Sequence, residues 1–405
     1  MVKYELQKLF SRPLGKGALA ALVVVLLLTT FFACGVRWTD QDGQNHTGPA
    51  AARQLRQQQK AWTGVLDEAM LRQAIQANWD VRHSDDAQSE DVTRQNMAYH
   101  QIQAFAVIRD LLNQSYSADF QSYDYYTADT VTPDQATDFY TNRLQLLRDW
   151  MAEEDVTFTP EEEAYLVEQY QTLETPFAVD YITGWQQFYD YSPTVIMLSA
   201  LIACFLVAGI FAQESQWKAD AIFFSTRHGR GKGTAAKVKA GALLLTGLYW
   251  VPFLVFAGLT LGLLGADGAG CPVQVLAWKS FYNITVGQGA LLIALGGYLG
   301  TLVLGLLTMW MSAKTGSAML SAVLPFAIIF VPALLLGNTN TLLSDILGLL
   351  PDKLLQLNRD FTYFDLYPIG DTVTGAVPIL FGLYLILTLV LLPLLYQTYR
   401  RRQLK

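Results

Sequence analysis

The sequence predicts an all-α integral membrane protein with six transmembrane helices and a helical extracellular domain between the first and second. Three observations lead there. The 405 residues are 52% hydrophobic with a mean hydropathy of +0.24. Six apolar runs, 18–36, 192–212, 240–265, 287–313, 316–337 and 374–397, contain no Asp, Glu, Lys, Arg or His, and each is long enough to cross a hydrocarbon core. Charge between the runs is segregated by sign: segments predicted inside sum to +12 and those predicted outside to −19. The positive-inside rule then places both termini in the cytoplasm of a multi-pass plasma-membrane protein.

Residues 1–36 open with Lys3, Lys8, Arg12 and Lys16 against Glu5. Tyr4, Leu6, Leu9 and Phe10 can form one apolar face, as in an interfacial helix leading into a span. A basic start before an apolar run is also the pattern of a secretory signal, but five later spans favour a retained helix. Residues 37–191 carry 26 Asp and Glu against 10 Lys and Arg, a net −16. Helical spacing recurs at Leu55, Trp62, Leu66, Met70, at Ile102, Phe105, Ile108, Leu112, and at Phe139, Leu144, Leu147, Trp150. Thr159-Pro160-Glu161-Glu162 is a helix start. About 150 residues of this kind can hold a core of their own. Tyrosines such as Tyr123, Tyr125 and Tyr126 suit a groove, a core or a membrane-surface belt.

Between the second and third spans, residues 211–239 carry six Lys and Arg against Glu214 and Asp220. Glu214 to Phe224 can make about three helical turns with Ala221–Phe224 as an apolar strip. Ser225 to Gly231 then breaks the helix, because Ser and Thr compete for the backbone and Gly weakens continuation. The same composition also describes an ordinary positive-inside loop. After the fourth and fifth spans, 338–373 are predicted outside, with Leu342–Leu357 as a pair of short helices broken at Pro351. Residues 398–405 form a basic cytoplasmic tail. In the fourth span Gly296 and Gly300 have the spacing that permits close helix approach, within the subunit or across a dimer. Cys34, Cys204 and Cys271 do not make a disulfide framework, although Cys34 and Cys271 both fall near the outer surface.

Known catalytic patterns are lacking. Gly229-Arg230-Gly231-Lys232-Gly233-Thr234 has Gly where a phosphate-binding loop needs Ser or Thr, and no strand precedes it. The four histidines lack metal-ligand spacing. The acidic cluster at His83, Asp85, Asp86, Glu90 and Asp91 reads as a solvated helix start. Spans without ionisable groups argue against an ion-coupled carrier.

Order and spacing within 211–239 resemble the coupling loop of ABC-2 type ABC exporter permeases: Glu214 after a span, Ser225-Thr226-Arg227, Gly229-Arg230, then Lys237. Many members have Gly-Thr where this chain has Lys218-Ala219. One branch of that family shares the large domain after the first span, and Thr175-Pro176-Phe177…Tyr181…Gly184-Trp185 resembles a subgroup common in Gram-positive bacteria. The resemblance implies a transport subunit without catalytic residues, metal or cofactor of its own. ATP and magnesium would be bound by a separate ABC ATPase subunit, gripping Glu214, Phe223, Phe224, Thr226, Arg227, Gly229, Arg230 and Lys237. The further partners are a second permease copy or a sister permease and the lipid bilayer, not nucleic acid, and the cargo is amphipathic, peptide-like or lipid-like. A different class, a membrane-anchored sensor whose acidic domain recognises cationic peptides, is also compatible with the −16 block.

Overall fold

The computed structural model describes residues 1–11, 13–154, 156–335, 342–370 and 372–402, with no side chains described for 333–344. Arg12, Asp371, the end of the predicted fifth span and the tail beyond Arg402 therefore lie outside the described residues. Among the described residues, five helices are long and apolar enough to cross a membrane: 13–33, 183–216, 229–264, 286–315 and 376–400. They comprise α2 (Pro13–Ala33), α9 (Thr183–Val207) with α10 (Gly209–Gln216), α12 (Thr234–Leu264), α13 (Val286–Thr315) and α18 (Ala376–Arg400). A sixth apolar helix, α14 (Ala318–Leu335), is shorter. α9 and α13 are central, whereas α2 and α18 turn Leu27, Phe31, Leu389 and Val390 outward.

Three helix starts differ from the sequence reading, and the first is α2, which begins at Pro13, five residues before its apolar run. α9 begins at Thr183, nine residues before the apolar run, because an aromatic and glutamine-rich stretch continues the helix beyond it. Pro193 removes the donor for Tyr189 O, and Asn358 Nδ2 donates to that oxygen instead, at 3.1 Å. α12 begins at Thr234 and so includes Lys237.

Ahead of these lies α1 (Val2–Phe10). The polar domain between α2 and α9 is chiefly helical: α3 (Pro49–Gln59), α4 (Glu68–Arg82), α5 (Val92–Ile102), α6 (Ala106–Ser115), α7 (Phe139–Met151) and α8 (Pro160–Thr172). Thr159 and Glu162 close a capping box on α8, as the sequence predicts. Asp91 caps α5, Asp86 pairs with Arg94 at 2.7 Å and His83 stacks on Trp79, so the acidic cluster is a helix start. Two antiparallel ribbons depart from the all-helical expectation: β1 (Arg37–Thr39) with β2 (Asn45–Thr47), and β3 (Gly64–Val65) with β4 (Ala178–Val179). Nor is the core separate, because buried Leu66, Leu71, Ile108 and Phe139 belong to one cluster with Phe188, Phe253 and Leu304 of the long helices. Arg143 clamps the domain to the connection between α12 and α13. It is buried, donates to Trp278 O and Ser280 O at 2.7–3.1 Å, and lies 3.8 Å over the Tyr170 ring. All three cysteines are buried free thiols.

After α14 come α15 (Leu342–Gly348), α16 (Pro351–Leu355), α17 (Leu357–Asp360) and a hairpin of β5 (Leu366–Ile369) with β6 (Thr372–Gly375). The break before Pro351 is the predicted one, and three short helices replace the predicted two. Gly296 and Gly300 pack within the subunit, against this segment. A methyl group on Gly300 would stand 3.2 Å from Leu354 Cβ and Pro351 O, and one on Gly296 3.1 Å from Leu357. Since Gly300 is midway along α13, the two glycines let α16 reach about 20 Å down that helix.

Candidate functional site: the basic loop

The loop between α10 and α12 is not one amphipathic helix. α10 stops at Gln216, and Trp217 to Ala219 break the path. Lys218 has φ of 55°, a left-handed conformation that disfavours any residue with a Cβ. A glycine suits this turn better. A short α11 (Asp220–Ser225) follows, then a wide π-type turn over Gly229–Gly233 feeds α12. Gly229 must be glycine: a Cβ there would stand 1.8 Å from Phe223 O.

The predicted site residues divide into two groups. Glu214 and Lys237 face inward and pair with each other at 2.7 Å. Lys237, at 0% exposure, also reaches Glu5 Oε2 at 3.1 Å and Ile210 O at 2.8 Å. Lys8 bridges Glu5 at 3.1 Å and Glu214 at 3.6 Å. Two lysines and two glutamates thus make a neutral cluster joining α1, α10 and α12. A fully buried lysine needs such partners. The apolar runs did omit charge, but the helices containing them do not.

Phe223 and Phe224 also turn inward, with ring centroids 5.9 and 5.1 Å from Tyr399 at the end of α18. Arg230 lies 4.8 Å over the Phe224 ring and donates to Arg400 O at 2.9 Å and Arg402 O at 3.1 Å. A cation on the terminal carbonyls of a helix is favourable. Thr226 Oγ1 donates to Phe223 O at 2.9 Å.

What faces outward is different. Ile222 is 70% exposed and Trp217 54% exposed, and Lys218, Arg227 and His228 are exposed with them. The apolar strip pointed to Phe223 and Phe224, but Tyr399, distant in sequence, covers them. Trp217 is next to the helix break and Ile222 is one position before the covered pair. The turn at Lys218 sets which of these faces out.

No family model matches the chain, and neither a curated protein nor a solved structure matches it.

Proposed function

We propose that the chain is the membrane permease subunit of an ATP-driven exporter of the ABC-2 type, worked by a separate ATPase. The single observation that carries this reading is the loop 217–232: its ends are locked into the helices while its tip exposes Trp217, Ile222 and Arg227. A partner that moves the tip moves α10, α12 and α18 with it, since Glu214, Lys237 and Arg230 tie the loop to all three. An exposed aliphatic and an aromatic beside a cation make a small hot spot for a cleft bearing carboxylates. The bilayer lies against α2, α14 and α18, and a second permease copy or a sister permease completes the path. In this reading 37–191 lie outside the cell, both termini are cytoplasmic, and nucleotide and magnesium belong to the ATPase.

The test is co-purification from native membranes of a subunit that hydrolyses ATP. Ile222→Glu combined with Arg227→Glu abolishes its recovery and leaves the permease inserted and folded. Arg230→Glu alone weakens the loop's seat on α18 instead, seen as a lower melting temperature. Undiminished ATPase recovery with the double variant rules the reading out.

A further inference from the structure

A cavity of about 560 Å³ lies where α1 and the start of α2 meet α10 and α14. Sites for small molecules span roughly 300–1,000 Å³. One wall runs along α9 and α10 from Phe205 to Gln213, and the other is a stripe of α14 from Ala318 through Ala322 to Phe326. Each wall covers a trough about 12 Å long at the helical rise. Gly209, Ala318 and Ala322 keep it open, because none of them sends a long side chain into it. Among the described residues no charged side chain lines it.

The polar end of the trough holds an amide without a partner. Gln213 lines the cavity and is only 3% exposed. Its side chain makes no hydrogen bond among the described residues. Its Nε2 would stand 3.2 Å from a Cβ placed on Gly209, which lines the same cavity. The amide therefore lies against the open space and not inside a helix contact. A buried amide that lacks a hydrogen bond is unfavourable, so the position points to a hydrogen-bonding group on the occupant.

Three features choose that occupant. Leu14, Met319 and Val323 at the rim are more than half exposed, so the mouth opens sideways through apolar side chains. Glu214, the next residue after Gln213, belongs to the ion cluster with Lys237, so the amide lies where charge gives way to apolar helix. In a bilayer that is the boundary between head groups and acyl chains. An uncharged lining suits an uncharged polar group, because a charge placed there would be buried without a counter-ion. We propose that the cavity binds a glycerolipid of the bilayer. One acyl chain lies in the trough between α9 and α14, and an ester carbonyl accepts from Gln213 Nε2. The inference rests on the long helices lying in a bilayer, and on neither the ATPase nor the side that is cytoplasmic.

The test is native mass spectrometry of the full chain in dodecyl maltoside, titrated with dioleoyl phosphatidylcholine and without any ATPase. We expect one lipid to bind saturably. An ether-linked analogue with the same head group and chains lacks the ester carbonyls and binds about threefold more weakly. Gln213→Leu loses about threefold for the ester lipid and no longer tells the two lipids apart. Ala322→Phe fills the trough and weakens both by about tenfold or more. Leu389→Phe, on the exposed face of α18, changes neither. The ester and ether comparison uses the parent chain, so it decides the role of the amide even where Ala322→Phe fails to fold. Equal affinity of the parent for both lipids would overturn the site, as would undiminished binding by folded Ala322→Phe. A dimer that takes up no lipid would mean that a second copy closes the cavity, and would overturn it as well.

Discussion

The basic end of the molecule and the domain end both bury charge, and they do it in opposite ways. At the basic end Glu5, Lys8, Glu214 and Lys237 lie side by side and cancel. At the other end, outside the six apolar helices, Asp360 is buried beside α13 with one oxygen unpartnered. Burial pushes its carboxyl up to about 8, only partly opposed by Lys353. Asp352 is pushed up to about 6 for the same first reason. The first cluster balances its charges by pairing, whereas burial without a close cation raises both carboxyls of the second. The loop that we read as receiving force is therefore anchored by charge. The segment inserted against the glycine face of α13 is seated by apolar contacts.

The largest effect that can break this contrast is at Lys237. Lys237→Met takes from buried Glu214 its closest cation, leaving only Lys8 for both glutamates, and lowers stability by about 3 kcal/mol, read by thermal unfolding in detergent. Lys237→Met with Glu214→Leu recovers most of the loss. A single variant that unfolds like the parent would show that the cluster holds nothing together.

Next in size is Gly300→Leu. It fills the space occupied by Leu354, Leu355 and Pro351 O and costs about 1–3 kcal/mol, as overpacking does. Cysteine accessibility at position 354 rises with it. Unaltered protection at 354 would show that α16 is seated by something other than the glycine face.

Asp360→Asn sharpens the comparison through pH. Below about 4 the carboxyl is neutral both folded and unfolded. Between 4 and 8 the folded chain holds a proton that the unfolded chain has released, so stability falls as pH rises through that window. The variant removes the slope due to Asp360, leaving the smaller one from Asp352 below about 6, and melts higher than the parent at pH 8, with little difference at pH 4. Parallel profiles for parent and variant would remove Asp360 from the account.

The smallest effect is at Lys218. Lys218→Gly relieves the left-handed turn and adds about 1 kcal/mol to stability, without changing ATPase recovery. A loss of stability would mean that the lysine side chain, not the turn, matters there.

Much of this fold is legible in the sequence because hydropathy and charge are properties of contiguous segments. Five of the six uncharged runs fall in helices long enough to span, the break before Pro351 lies where it was expected, and the glycines of α13 mark a close approach. What was not legible is long-range pairing. Lys237 reads as a loop residue until Glu5 and Glu214 are beside it. Phe223 and Phe224 read as an exposed strip until Tyr399 covers them. The start of α9 is hidden because Trp185, Gln186 and Gln187 interrupt hydropathy without interrupting the helix.

The cluster at the basic end also dictates an order of manufacture. Glu5 and Lys8 leave the ribosome more than two hundred residues before Glu214 and Lys237. The whole polar domain has to be made before the early pair meets the late one. Until then α1, apolar on one face and charged on the other, can rest at the lipid surface. The chain's first helix is thus among the last to be secured.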